Sequence, residues 1–302
     1  MRIMEHGFSL TEIKQPNLAT DRLPTSRCQQ IEINPAPLLD LLPEPAASER
    51  APRYDRRMKD PDDLLPESYV EGLIPTLNKT GWMTETLDTY SQEFARYAGS
   101  INTEVLDIGC AYGVATLAAL DAGARVLACD MEPRHLEILE QRVPVEQQEH
   151  FRCSPATLPG VDFPPHSFGA ILAARVLHFL NGVQIESAVR KMHDWLQPGG
   201  QLYLITDTPY TGPWYIHADR YEQRKAAGDP WPGYVDDYID LLPAGTDPEG
   251  HPGFINPLDP DILSRVCNAS GLEIISADFL SSARKHAKGK EHAGVIARRP
   301  TQ

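Results

Sequence analysis

A glycine-containing turn between a predicted strand and a predicted helix constrains this chain more than any other feature. Residues 105–116 read Val-Leu-Asp-Ile-Gly-Cys-Ala-Tyr-Gly-Val-Ala-Thr, with glycines at positions 109 and 113. Such a turn lets a ligand approach the backbone and places it near the N-terminus of the following helix. The spacing does not fit the Gly-x-Gly-x-x-Gly fingerprint of dinucleotide-binding folds. The turn therefore indicates a ligand site and argues against a nicotinamide-linked oxidoreductase.

An acidic residue ends the next predicted strand. Residues 125–130 form a short apolar run that closes on Asp130, about twenty residues beyond the glycine turn. An acid at that place can accept hydrogen bonds from both hydroxyls of a ribose. The alternative is that Asp130 only helps to cap a helix predicted at residues 133–140. After a glycine turn, ribose binding is the favoured interpretation, and the polarizable Met131 would then lie near the adenine ring.

These two segments resemble the Asp/Glu-x-Gly-x-Gly-x-Gly turn, and the acid after it, of S-adenosylmethionine-dependent methyltransferases with a Rossmann-like fold. Ala111 stands where the family has its middle glycine, and a methyl group is tolerated there if φ is negative. The resemblance implies S-adenosyl-L-methionine as cofactor. It also implies an α/β fold with a seven-stranded, mostly parallel sheet, helices on both faces, an antiparallel strand at the C-terminal edge and an aromatic lid insertion after strand five.

Later segments extend the resemblance in the same order along the chain. Residues 151–159 resemble the family's Gly-Asp-Ala-x-x-Leu-Pro stretch, but Ser154 stands at the acid position, which leaves a hydroxyl or the backbone to contact adenine. Residues 168–174 are typical of a buried parallel strand, and the segment after them resembles the one that meets the methionine part of the cofactor. Residues 196–200 carry the family's Leu-x-Pro-Gly-Gly turn.

The resemblance places the reacting methyl group just past the fourth strand, where His178 lies. The ordinary pKa of histidine suits a general base, although a histidine there is often structural in the family. His217, Tyr210 and Asp207 are further candidates for that role. Arg175 is a candidate to hold a carboxylate or to pair with an acid nearby. The residues expected to bind the cofactor are Asp107, Gly109, Cys110, Ala111, Gly113, Asp130, Met131, Ser154, Pro155, Ala156 and Arg175.

An aromatic block follows the predicted fifth strand. Residues 208–217 and 229–238 are dense in Trp, Tyr, Pro and Gly. Ligands of open α/β sheets bind beyond the carboxyl ends of the strands, and aromatic side chains provide apolar walls with polar tips. We therefore predict a substrate lid over residues 207–257, with a structural cap as the alternative. A helix predicted at residues 83–97 adds a second aromatic stripe. The residues expected to bind the substrate are Trp82, Tyr90, Tyr210, Trp214 and Tyr215, with Trp231 as a further candidate.

Composition and charge narrow the class of protein. The 302 residues carry a formal net charge of −14, which argues against a nucleic-acid-binding protein because such proteins need a basic face. No apolar run approaches the length of about eighteen residues that a membrane helix needs, and residues 1–8 lack the apolar core of a signal peptide. Five cysteines without a Cys-x-x-Cys pair indicate a reducing cytoplasm and no structural metal.

The chain divides into two parts of different character. Residues 1–62 are rich in proline and keep no helical or strand period, so we predict a largely disordered tail. A recruitment motif for a partner protein is the alternative for this tail. Residues 63–302 are predicted to be the methyltransferase domain, whose oligomeric state the sequence leaves open.

The favoured function is methyl transfer to an oxygen or nitrogen atom of a small-molecule acceptor. One alternative keeps the chemistry but takes a protein or peptide side chain as acceptor, with the tail as docking segment. A second alternative is a non-catalytic partner that keeps the cofactor fold as a scaffold. The intact residues Asp107, Gly109, Gly113 and Asp130 argue against such a scaffold.

Overall fold

The computed structural model of the chain describes residues 64–68, 71–236, 238, 253–281 and 288–301. The tail predicted for residues 1–62 lies outside the described residues, as does much of the second half of the predicted lid. None of the helices in the described ranges is long and apolar enough to cross a membrane.

Strands and helices alternate along most of the described chain. The strands are β1 (Leu73–Pro75), β2 (Trp82–Thr84), β3 (Val105–Ile108), β4 (Val126–Asp130), β5 (Phe151–Pro155), β6 (Phe168–Ala174), β7 (Leu196–Asp207), β8 (Glu273–Leu280) and β9 (His292–Arg298). The helices are α1 (Thr89–Ala98), α2 (Val114–Asp121), α3 (Pro133–Arg142), α4 (Gly182–Trp195), α5 (Ala218–Ala226) and α6 (Pro260–Ala269).

Seven of these strands form one sheet in the order β5-β4-β3-β6-β7-β9-β8. The pairs among β5, β4, β3, β6 and β7 are parallel, whereas β9 is antiparallel to both of its neighbours. This confirms the predicted seven-stranded, mostly parallel Rossmann-like sheet. The antiparallel strand β9 lies one place in from the edge, because β8 returns to pair with its outer side.

The core has one layer on each face of the sheet. Phe94, Ala119 and Leu136, from α1, α2 and α3, are buried on one face. Ile185 and Val266, from α4 and α6, are buried on the other face. Burial of both faces explains why the central strands consist almost wholly of apolar residues.

The segment before β3 differs from the helix predicted at residues 83–97. Trp82–Thr84 pairs antiparallel with Leu73–Pro75, and the two strands form a hairpin. The helix begins only at Thr89, where the side chain of Asp88 accepts hydrogen bonds from the N–H groups of Tyr90 and Ser91. An N-cap of this kind satisfies N–H groups that a longer helix would bond internally, so it fixes the start of the helix.

In sheets of this kind ligands bind at the carboxyl ends of the parallel strands, which here are the ends of β3 to β7. Because β9 runs in the opposite direction, its first residue, His292, lies at this same edge, opposite Asp207 at the end of β7. Parallel pairing likewise brings Asp130 beside Pro155. Residues that are far apart in the sequence thus meet along one edge.

Candidate functional site

The turn between β3 and α2 has the backbone conformation that its glycines allow. Gly109 and Gly113 have φ values of 79° and 82°. Ala111, between them, has a φ of 45°, so the condition of a negative φ, under which a methyl group is easily tolerated, is not met. The N–H of Ala111 donates to Asp130 Oδ2 over 2.8 Å, and this bond helps to hold a conformation that alanine seldom adopts.

Both glycines are also required by close packing. A Cβ atom at Gly109 would lie 2.2 Å from Cγ2 of Val176, just past β6. A Cβ atom at Gly113 would lie 2.2 Å from Cδ1 of Leu139 in α3. The turn is therefore tightly enclosed by the elements on either side, and a side chain at either position would displace one of them.

Asp130 contacts the turn from the end of β4. Its Oδ1 accepts from the N–H of Glu132 over 2.9 Å and lies 3.0 Å from Nδ1 of His135. Its Oδ2 accepts from the N–H of Ala111. Glu132 is the N-cap of α3, and Asp130 bonds to the N–H of this residue. Asp130 thus ties the glycine turn to the first turn of α3.

Asp107 lies beneath the turn and is almost fully buried. Its Oδ2 accepts a hydrogen bond from the Thr116 hydroxyl over 2.7 Å. Burial raises the pKa of Asp107 from 3.8 to about 6, and the Thr116 hydroxyl offsets this only in part. This carboxylate therefore binds its proton more tightly in the folded protein than in water.

The remaining predicted cofactor residues on this side flank Asp130. The N–H of Ala156 donates to the carbonyl of Asp130 over 2.9 Å, which holds the end of β5 against the end of β4. Met131 exposes 56% of its surface. Ser154 and Pro155 lie at the end of β5 in the same register. The structure thus brings the predicted adenosine contacts together, and their role in binding stays a prediction.

Arg175 follows β6 in a constrained conformation. Its φ is 59°, and its N–H donates to the carbonyl of Ile205 over 2.7 Å. One guanidinium nitrogen lies 3.3 Å from Oδ2 of Asp88, the N-cap of α1. Its Nε is buried without a hydrogen-bond partner among the described residues. Arg175 therefore pairs with a nearby acid and keeps one donor unsatisfied.

His178 is buried rather than exposed. Its Nδ1 accepts from the N–H of Asp207 over 3.3 Å and lies 3.2 Å from the Thr206 hydroxyl. Burial lowers the pKa of His178, although the carboxylate of Asp207 acts in the opposite direction. These contacts favour a neutral ring that supports the end of β7.

A carboxylate–imidazole pair that the sequence does not reveal lies at the same place. Nδ1 of His292 is 3.0 Å from Oδ1 of Asp207, and both side chains are mostly buried. Burial would raise the pKa of Asp207, but His178, His292 and Arg175 outweigh it and hold that pKa well below its usual range. Within the described part of the chain, Nε2 of His292 has no hydrogen-bond partner.

The predicted lid brings one of its aromatic residues to this cluster. Trp214 is buried, and its Nε1 donates to the carbonyl of Thr208 over 2.8 Å. Its ring lies 6.4 Å from that of His178 and 5.8 Å from that of Tyr238. Phe179 packs against the same group. An apolar wall thus stands beside the polar cluster.

Other predicted substrate residues make contacts elsewhere. The hydroxyl of Tyr210 donates to Glu222 of α5, and Tyr215 is exposed. The Tyr90 hydroxyl donates to Asp278 of β8. The Trp231 indole packs against Gly182 at the start of α4. Trp82 lies in the hairpin, half-buried.

Comparison with known proteins finds a family that is similar to part of the chain. Residues 105–200, from β3 to the start of β7, match the family described as "Methyltransferase domain". This match covers less than half of the chain. The sheet to which this segment contributes is the Rossmann-like sheet that the sequence predicts.

A curated relative matches part of the chain. Demethylmenaquinone methyltransferase from Tropheryma whipplei is 36% identical over 103 residues, which are 33% of this chain and 40% of that protein. The chain thus spans less than half of that relative.

Solved structures extend over more of the chain at lower identity. An S-adenosylmethionine-dependent methyltransferase from Methanosarcina mazei is 19% identical, with a TM-score of 0.49, over 66% of this chain and 93% of that one. 1,6-Didemethyltoxoflavin-N1-methyltransferase from Burkholderia thailandensis is 15% identical, with a TM-score of 0.48, over 70% of this chain and 79% of that one.

Proposed function

We propose that the chain is an S-adenosylmethionine-dependent methyltransferase that transfers a methyl group to an oxygen or nitrogen atom of a small molecule. The observation that carries the proposal is the contact between the glycine turn and Asp130. A turn with positive φ values leads into a helix, and a carboxylate held by three N–H donors lies beside it. The match to the methyltransferase domain supports the same conclusion.

The site has the groups that an adenosine with a free ribose requires. A carboxylate can accept about four hydrogen bonds, and the protein supplies three to Asp130. Acceptor capacity for a ribose hydroxyl therefore remains on Asp130. Met131 provides an exposed apolar surface next to it for the base. Arg175 has an unsatisfied donor for an anionic group, such as the carboxylate of the methionine part.

The bound cofactor would supply a methyl group on a positively charged sulfur, which is the reactive electrophile. The protein then has to orient the acceptor and exclude water. Orientation alone can supply roughly 7–11 kcal/mol of the activation barrier. The wall formed by Trp214, Tyr238 and Phe179 is suited to hold a flat or apolar acceptor beside the end of β7.

An acceptor hydroxyl or amine also has to lose a proton. We assign this proton to Nε2 of His292, because Asp207 holds the ring through Nδ1 and stabilises the imidazolium that results. His178 is less suited, since its Nδ1 is occupied by the N–H of Asp207. The small-molecule acceptor has further support from the relative from Tropheryma whipplei, which is named for methylation of demethylmenaquinone.

Two measurements test the proposed function. Titration calorimetry of the full chain with S-adenosylhomocysteine should give saturable binding with one site per chain. A whole cell extract, incubated with the protein and methyl-labelled S-adenosylmethionine, should then yield a labelled small molecule by mass spectrometry. Absence of binding would refute the cofactor assignment, and label in protein alone would replace the small-molecule acceptor by a polypeptide.

A further inference from the structure

His135, in the first turn of α3, connects the proposed ribose site to the hairpin of β1 and β2. The imidazole is buried, with 1% of its surface exposed. Nδ1 lies 3.0 Å from Oδ1 of Asp130, and Nε2 lies 2.9 Å from the backbone nitrogen of Leu77. One ring thus bonds two elements that are distant in the sequence.

The two partners define which nitrogen of His135 carries the proton. The N–H of Leu77 can only donate, so Nε2 accepts and has no proton. The proton is then on Nδ1 and points to the Asp130 carboxylate, which can only accept when ionised. The arrangement requires a neutral imidazole in a single tautomer, and it fixes the rotation of both the ring and the carboxylate.

The hairpin is held over the glycine turn by further contacts. The Tyr112 ring packs edge-on against His135 at 4.7 Å, and its hydroxyl donates to the carbonyl of Pro75 over 2.8 Å. A guanidinium nitrogen of Arg134 donates to the carbonyl of Leu77 over 3.1 Å. Ile74 is buried against Ala111 and Tyr112. The hairpin therefore covers the turn on the Asp130 side.

We infer that His135 is a positioning residue for the ribose of the cofactor, an inference that rests on the proposed function. It directs the Asp130 carboxylate through Nδ1 and makes that direction depend on the docked hairpin through Nε2. Asp130 would then favour a ligand with ribose hydroxyls over a deoxy ligand only when His135 bonds both to Asp130 and to Leu77. The hairpin becomes part of the cofactor site without a side chain of its own that touches the ribose.

Calorimetry with three ligands tests this inference on the full chain. The ligands are S-adenosylhomocysteine and its 2′-deoxy and 3′-deoxy analogues. The wild-type protein should bind at least one deoxy analogue about tenfold more weakly, the order expected for one hydrogen bond to a charged group. In His135→Phe, which keeps a ring but removes both bonds, affinity for S-adenosylhomocysteine should fall about tenfold and the penalty for the deoxy analogue should nearly vanish.

Two variants separate positioning from folding. His135→Gln keeps an amide that can donate to Asp130 and accept from Leu77, so it should recover part of the discrimination. Tyr112→Phe removes a different hairpin bond, that to Pro75, and should leave the discrimination near the wild-type value. Should His135→Phe fail to fold, the glutamine variant still supplies the comparison.

The outcomes distinguish this inference from the proposed function. A wild-type protein that binds no S-adenosylhomocysteine would overturn the proposed function, and the inference with it. A wild-type protein that binds but does not discriminate against the deoxy analogues would overturn the inference alone. Equal loss of affinity for all three ligands in both His135 variants would also overturn it, because it would show a structural role only.

Discussion

The cofactor side and the acceptor side of the proposed site are built in different ways. On the cofactor side, the polar contacts join neighbouring strands and the turns after them: Asp130 bonds to Ala111, 19 residues away. On the acceptor side, His292 meets Asp207 across 85 residues, and Trp214 enters from an insertion. The first side is one local unit, whereas the second is assembled from several distant segments.

The two sides also differ in the groups that they present to a ligand. The cofactor side holds backbone in a strained conformation against close neighbours, which leaves little room for change. The acceptor side offers side chains at the ends of strands and in a connecting segment, where substitution alters chemistry without moving the sheet. This division would let substitutions change the acceptor of the enzyme while the cofactor stays the same.

The largest expected effect is on the cofactor side. Gly109→Ala places a methyl group 2.2 Å from Cγ2 of Val176 at a positive φ, so binding of S-adenosylhomocysteine should be lost in calorimetry. Gly123→Ala is the matched control, because its φ of 89° is equally unsuited to alanine but nothing lies within 4 Å of the added methyl. A folded Gly109→Ala protein with wild-type affinity would contradict the assignment of the turn.

The second prediction concerns the acceptor side. His292→Gln and Asp207→Asn should each lower turnover of the labelled acceptor by roughly 10²–10⁴-fold, the usual contribution of a general base. Affinity for S-adenosylhomocysteine should stay within about twofold, because neither residue is hydrogen-bonded to the glycine turn, to Asp130 or to Arg175. Added imidazole should restore part of the activity of His292→Gly. Equal losses of turnover and cofactor affinity would show that the pair is structural.

A third prediction tests the energetic cost of the buried carboxylate on the cofactor side. The pKa of Asp107 is about 6 in the folded protein against an ordinary value of 3.8. A raised carboxyl pKa means that its contribution to stability is complete below pH 3.8 and is lost as the pH rises to 6. The loss amounts to at most about 3 kcal/mol, at roughly 1.4 kcal/mol per pKa unit.

Asp107→Asn removes this titration, so the variant should match the wild type near pH 4 and be more stable near pH 7, in urea unfolding at both values. Thr116→Val removes the hydroxyl that stabilises the ionised carboxylate, and it should cost more stability near pH 7 than near pH 4. A difference between Asp107→Asn and wild type that does not change with pH would disprove the raised pKa.

The same division explains what the sequence could predict. The turn, Asp130 and the start of α3 depend on neighbours in the chain, so spacing alone indicates them. The prediction was wrong for the start of the helix before β3, because Trp82–Thr84 forms a strand by pairing with residues before it. The positive φ of Ala111 depends on a hydrogen bond to Asp130 that no local pattern encodes.

His292 was missed for a related reason. It is the first residue of β9, and its proximity to Asp207 follows only from antiparallel pairing with β7. The one signal in the sequence is the antiparallel strand predicted at the C-terminal edge, whose start has to lie at the carboxyl ends of the parallel strands. Contacts of this kind depend on sheet order, which residue spacing does not provide.

The smallest expected effect concerns Trp214, the residue of the predicted lid that lies beside His178. Trp214→Phe keeps an aromatic ring but removes the bond from Nε1 to the carbonyl of Thr208, which should cost about 1 kcal/mol of stability. A shifted ring should lower kcat/KM for the labelled acceptor several-fold and leave the affinity for S-adenosylhomocysteine unchanged.

Trp231→Phe is the control for Trp214→Phe, since Trp231 packs on Gly182 and Arg265 and makes no ring contact with His178 or Trp214. It should change kcat/KM little. A structural cap predicts a different pattern for Trp214→Phe, in which melting temperature, cofactor affinity and turnover fall together. If that pattern appears, the aromatic wall stabilises the end of β7 and the acceptor binds elsewhere along the edge. If kcat/KM alone falls, Trp214 belongs to the acceptor side. A change in this one indole would then alter acceptor turnover without altering the cofactor side.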